Sequence, residues 1–314
     1  MFLRLLVPLD GSQLAEAALP AVRHLAETLG ADVMLLHMIE RKAPRAVHGQ
    51  SHLTTVHDAE TYLAQVAERA LPGAGTVRRH VHTDQINDVA RSIVAHADEL
   101  QIDLIVLCTH GAGGMRHAVF GTVAQRVIAL GTTPVLLIPT PARDQVAGFS
   151  CRRLLVPLDG NADHEQALEA VTRLGLGRGA QVRLLMVIHT LRDLQQTHLI
   201  TSRLLPGTTV ELLDASSDPA KVYLDEKVKW MKGVGAEVTT RVVRGEPVRT
   251  IVDAAREFQA DLIVLGTHGT SHLEAYWAGS ATPQLARKSR LPILLVPVHD
   301  GPRGPGKERS WAPS

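Results

Sequence analysis

Gly266, Gly269, Gly279 and Ser280 form a spaced series, Gly-x2-Gly-x9-Gly-Ser, that could close main-chain N–H groups around a phosphate. Glycine has no Cβ to hold the backbone away from an anion, and Ser280 adds a hydroxyl donor. An earlier stretch repeats the pattern with Gly111, Gly121 and Thr122, but Cys108 stands where its first glycine would fall. A thiol there intrudes on the phosphate space, so the earlier copy is expected to bind weakly or not at all, although Gly113 and Gly114 let its loop adjust. Asp10 and Asp159 each lie between Pro-Leu and Gly, at the end of an apolar run. Such a carboxylate can accept from a hydroxyl such as a ribose; the plainer role is a strand-to-helix turn with Ser12 and Asn161 as N-caps. His110 and His268 sit in matching Thr-His-Gly phrases, able to donate to a phosphate or act as a base, with loop packing as the plainer role. Cys108 has no CxxC partner and reads as a small core hydrophobe.

These residues need strands and helices to bring them together, and the chain supplies the same set twice. RLLVPLDG occurs at Arg4 to Gly11 and again at Arg153 to Gly160, and CTHG at Cys108 to Gly111 is matched by GTHG at Gly266 to Gly269. Repetition of this kind means two copies of one domain in tandem. Strands are expected near Leu3–Leu9, Asp32–Ile39, Thr76–His82, Asp103–Cys108 and Thr133–Ile138. In the second half they are expected near Arg153–Leu158, Gln181–Ile188, Glu237–Val243, Asp261–Gly266 and Ile293–Val298. Runs such as VMLLHMI and LIVLC are apolar throughout, as strands buried on both faces require. Between them Ala15, Ala18, Leu19, Val22, Leu25, Ala26 and Leu29 share a helical stripe, as do Ile86, Val89, Ala90, Ile93, Val94 and Ala97.

Alternating strands and helices of this order predict an α/β protein: two doubly wound, open, parallel five-stranded sheets, each of strand order 3-2-1-4-5. The first domain is expected over residues 1–140 and the second over 151–299, with a linker at 141–150 and a disordered tail at 300–314. Glu40–Leu53 and His189–Asp214 are expected as irregular surface excursions. In such a sheet ligands bind at the carboxyl edge between the first and fourth strands, where the repeated phrases fall.

Composition excludes several classes. The 314 residues carry a formal charge of +1 with no basic stripe, which argues against nucleic-acid and anionic-membrane partners. No apolar run is long enough to span a bilayer and no cleavable leader precedes the first strand, so the expected location is cytoplasmic. Two cysteines do not make a disulfide framework. The 16 histidines are scattered, and the groups His48, His52, His57 and His80, His82 lack Cys or carboxylate partners at ligand spacing, so no protein-held metal is expected.

The chain resembles the universal stress protein family over both halves. The family's ATP-binding members carry Gly-x2-Gly-x9-Gly-(Ser/Thr), and Gly266, Gly269, Gly279 and Ser280 match every position. The resemblance implies a Rossmann-like, adenine nucleotide alpha hydrolase-like fold. It also implies that these residues hold the phosphates of ATP, with His268 beside them and Pro157, Asp159 and Val187 at adenine and ribose. Val243 to Pro247 looks like the family's third-strand exit. The weaker counterparts in the first half are Pro8, Asp10, Met38, Gly111, Gly121 and Thr122. Its own third-strand exit, Val81 to Gln85, lacks the Gly and Pro of the second half. Mg²⁺ would accompany the nucleotide.

The leading expectation is therefore a nucleotide-binding regulatory protein with a role in stress response, not an enzyme. A slow ATP hydrolase or adenylyl-transferring enzyme is the alternative. Against it, the loop after the first strand is not SGGxDS-like, no G-x-x-x-x-G-K-[ST] occurs, and neither glycine loop holds a lysine. A nucleotide-free interaction scaffold is the third reading. The fifth strands, PVLLIP and PILLVPV, are apolar edges that need covering. Docking through them would make an intramolecular pseudo-dimer, and the same surfaces offer a route to a homodimer.

Overall fold

The computed structural model describes residues 1–41, 46–47, 50–109, 121–140, 148–177, 179–188, 206–233, 235–267 and 281–298. In the first half the strands are β1 (Arg4–Pro8), β2 (Asp32–Glu40), β3 (Ala46–Val47), β4 (Gln50–Ser51), β5 (Val77–Ile86), β6 (Leu104–Thr109) and β7 (Val135–Pro139). Its helices are α1 (Gln13–Glu16), α2 (Leu19–Leu29), α3 (Val56–Ala70), α4 (Val89–Glu99) and α5 (Thr122–Leu130). The second half has β8 (Arg153–Leu158), β9 (Gln181–Ile188), β10 (Glu237–Arg244), β11 (Leu262–Thr267) and β12 (Ile293–Pro297). A 3₁₀ turn at Ala162–Glu165 is followed by α6 (Gln166–Arg173), α7 (Pro206–Trp230), α8 (Pro247–Phe258) and α9 (Ala281–Lys288).

Among the described residues all the long strands belong to one ten-stranded sheet, ordered β10-β9-β8-β11-β12-β7-β6-β1-β2-β5. Each half is a parallel five-stranded unit of order 3-2-1-4-5, and the halves meet where β12 pairs antiparallel with β7. Ile293 faces Leu137, Leu294 faces Leu136 and Leu295 faces Val135, which buries both apolar fifth-strand edges within the chain. A homodimer through those same edges would need them open, and they are used internally.

Helices cover both faces. On one side α2, α3, α6 and α7 pack Leu25, Leu63, Leu168 and Leu224 onto Leu5, Leu35, Leu154 and Leu184. On the other, α4, α5, α8 and α9 pack Ile93, Val127, Ile251 and Leu285 onto Leu6, Leu36, Leu155 and Leu185. Each of these two cores runs through both halves without a break. Continuous burial of the strands explains their uninterrupted apolar runs.

The structure corrects the sequence reading in several places. Ile86, expected on the helical stripe with Val89, instead ends strand β5, and α4 starts three residues later. The stripe from Ala15 to Leu29 is split into α1 and α2, because Pro20 in the first turn of α2 has no N–H to continue the ladder from α1. The excursion expected over His189–Asp214 already contains the start of α7 at Pro206. Glu40–Leu53 carries a small antiparallel hairpin, β3 with β4. At the end of the expected linker Phe149 packs on the core and Ser150 Oγ donates to Asp261 Oδ2 at 2.5 Å. The rest of that linker at 141–147 and the tail from residue 300 lie outside the described residues.

Candidate nucleotide site

The carboxyl ends of β1 and β6 flank the point where strand order reverses, and there the first half holds a cavity of about 380 Å³. Leu36, Met38, Leu107 and Cys108 come from the strands, Val89 and Ile93 from α4, and Gly121 to Ala124 from the first turn of α5. Pro8, Asp10, Met38, Gly121 and Thr122, five of the residues expected for the weaker copy, all line it. Gly111 and His110 lie outside the described residues.

Local chemistry sets each wall. Gly11 and Gly160 have φ of +87° and +84°, so the chain turns sharply after β1 and β8 in a conformation that side-chain-bearing residues resist. Within those turns Asp10 Oδ1 accepts from the Ser12 N–H at 2.9 Å and Asp159 Oδ1 from the Asn161 N–H at 3.0 Å. Ser12 Oγ in turn accepts from the Ala15 N–H, and Asn161 Oδ1 from the Asp163 N–H. One oxygen of each aspartate thus has the turn role. At the opposite end α5 begins at Gly121, which has no side chain to cap the helix, and its first turn lines the cavity. Such an N-terminus attracts anions.

Three further ionisable groups, His37, His52 and Glu40, line the cavity without having been expected there. His37 interrupts the apolar run of β2; its Nδ1 donates to the Leu9 carbonyl at 2.7 Å and its Nε2 lies 3.3 Å from the Leu53 oxygen. His52 is buried, and among the described residues neither of its ring nitrogens has a hydrogen-bond partner. Its Nε2 is 3.8 Å from Glu40 Oε1, too far for a hydrogen bond. A lone histidine within VMLLHMI was the available signal for His37; His52 and Glu40 reach the cavity only through the fold. Burial pushes the Cys108 thiol up to about 11, against a smaller lowering from the hydrogen bond with Thr140.

The second half is built differently at the same place. His164, at the position of Ala15 in the repeat, donates from Nδ1 to Asp159 Oδ2 at 2.8 Å. Burial works against the Asp159 carboxylate, but the hydrogen bonds from His164 and Asn161 outweigh it and hold the group below its usual range. A Cβ on Gly266 would lie 2.7 Å from the Cα and carbonyl oxygen of His164. The bare Cα of Gly266 therefore makes room for protein backbone, a role that the phosphate reading did not include. Pro157 and Val187 sit in register on β8 and β9, against Leu185 and Val243. His268, Gly269, Gly279 and Ser280 lie outside the described residues.

The histidines also gather where sequence spacing gave no third ligand. His80 and His82 on β5 meet His96 on α4.

Fold and cavity together define a tandem doubly wound α/β protein with a ligand-sized hollow at its topological switch point. The universal stress protein family model matches residues 1–139 and 150–297, and the chain belongs to that family. It is 30% identical over 151 residues to universal stress protein YxiE of Bacillus subtilis, covering 44% of this chain and 99% of that one. A universal stress protein of Mycolicibacterium smegmatis is 22% identical over 300 residues, covering 93% and 96% of the two chains. The crystal structure of a universal stress protein from Archaeoglobus fulgidus shares the fold with a TM-score of 0.62 at 19% identity, over 94% of this chain and 98% of that one. Among the described residues no helix is long and apolar enough to cross a membrane.

Proposed function

We propose that this protein is an adenine-nucleotide-binding regulator and that its first half holds the nucleotide. The observation that carries this reading is the cavity between β1 and β6, with the N-terminus of α5 at one end and Asp10 and Glu40 elsewhere in its wall. That polarity orients a ligand. Phosphates belong at the first turn of α5, and the carboxylates accept from hydroxyl or amine donors of the nucleoside. Apolar walls from Leu36, Met38, Val89 and Ile93 suit a flat base. Mg²⁺ would travel with the phosphates. In the second half His164 already donates to Asp159 Oδ2 and competes there with a ribose hydroxyl. Regulation needs only that the nucleotide favour one conformer over another.

The test is to denature the purified protein, identify and count released nucleotide, and titrate ATP with Mg²⁺ into the emptied protein and its variants. Gly121→Asp places a carboxylate where phosphate is expected, yet aspartate is a good N-cap, so stability should hold or rise by about 0.5 kcal/mol. ATP affinity should fall at least tenfold. Unchanged affinity in Gly121→Asp, with loss in Asp159→Asn, would move the site to the second half. No binding to the unaltered protein would leave the scaffold.

A further inference from the structure

We propose that His80, His82 and His96 form a binding site for a borderline transition-metal cation of the Zn²⁺ class. Alternation along β5 places His80 and His82 on one face of the sheet, and α4 lies across that face. The ring centroids of His96 are 5.1 Å from His80 and 5.0 Å from His82, and one nitrogen from each of the three lies within 4.8 Å of the others. Ligand nitrogens around a tetrahedral Zn²⁺ are about 3.3 Å apart, so closure requires movements of up to about 1.5 Å. His80 is exposed and His82 only half-buried, which leaves both rings room to make it.

His96 is already fixed as a ligand would be. It is buried, and its Nδ1 donates to the Ser92 carbonyl at 2.8 Å, which commits the proton to Nδ1 and leaves the lone pair on Nε2. A backbone carbonyl holding the far nitrogen is the usual support of a metal-bound histidine. The neutral ring is the form that binds metal. Three imidazoles without a hard oxygen ligand select Zn²⁺, Ni²⁺ or Cu²⁺ over Mg²⁺ or Ca²⁺.

The fold itself does not call for these histidines. Leu36 pairs with His80 and its repeat counterpart Leu185 pairs with Arg241, so Arg241 holds the place of His80 in the second half. There Arg241 Nη1 meets Glu257 Oε1 at 2.7 Å, and the place of His96 is taken by Ala254. An ion pair thus fills in one half the position that a histidine trio fills in the other.

The experiment uses the full chain, stripped with a chelator and titrated with ZnCl₂ by calorimetry and with Co²⁺ by visible absorption. One high-affinity ion is expected, with a Co²⁺ spectrum of a four-coordinate site that has three nitrogen ligands and a water. His80→Asn changes an exposed side chain and His96→Gln removes the fixed ligand; each should weaken binding at least tenfold, while His57→Asn on α3 should not. Zn²⁺ should also raise the thermal midpoint of the unaltered protein and not that of His80→Asn. Absence of binding at 100-fold excess Zn²⁺, or affinity in His80→Asn and His96→Gln unchanged from that of the unaltered protein, would overturn the assignment.

Discussion

Ala15 and Cys108 in the first half stand where His164 and Gly266 stand in the second. A small residue on the turn after the first strand faces a larger one at the end of the fourth, and the order of sizes is then exchanged. The outcome is an open hollow beside Cys108 and a filled contact beside Gly266. Gly266→Ala should therefore lose about 1–3 kcal/mol in urea unfolding with or without nucleotide, because the obstructing atoms belong to the backbone. His164→Ala, which copies the first half, should free Asp159 and raise the number of nucleotides bound per chain, read by equilibrium dialysis. Cys108, pushed up to about 11, and Cys151, to about 12, both through burial, remain thiols at pH 8. Relative to an ordinary thiol of 9.0 this leaves Cys108 about a hundredfold less thiolate, so iodoacetamide should label neither cysteine until the protein is denatured.

At the scale of elements, sequence and structure agree where one physical rule dominates. Strands buried on both faces must be apolar throughout, so LLVP, VMLLHMI and LIVLC were legible as strands and their order followed from right-handed crossovers. Pro20 was visible, yet its effect on the stripe from Ala15 to Leu29 depends on where the next helix starts. The start of α7 was hidden because Gly207 and Pro219 argue locally against a helix that the long crossover nevertheless forms. The cavity was legible as a location and not as a volume, since its opening depends on how Ala15 and Cys108 pack. His96 joins His80 and His82 only because α4 folds back over β5, a contact that ligand spacing along the chain cannot show.

Across the whole molecule the two halves are tied by more than the β7 to β12 seam. Arg173 of the second half pairs with Asp103 at 2.9 Å, lies over the Phe2 ring at 4.2 Å and accepts from the Phe2 N–H through its carbonyl. At the pseudo-symmetric place His24 of the first half packs edge-on to Phe149, with Glu27, Asp261 and Arg152 in its field. Leu294→Ala in the seam should cost about 2–5 kcal/mol and still give a single unfolding transition, because both cores continue through it. Burial lowers His24 below its ordinary 6.5, despite the raising effect of Glu27 and Asp261. The unfolded chain then takes up a proton first as pH falls. This contribution to stability is complete above 6.5 and declines as pH drops from there toward the native value. Urea midpoints at pH 7.5 and 5.5 should therefore differ less in His24→Gln than in the unaltered protein.

The antiparallel seam joins two copies that are covalently one chain. In an assembly of two identical subunits every substitution is made twice, so a change that closes one binding hollow closes both. Fusion removes that constraint. Each half can be altered alone, and the pairs Ala15 with Cys108 and His164 with Gly266, like the histidines of one outer strand and the ion pair of the other, are what such independence permits: one molecule with two unlike ends.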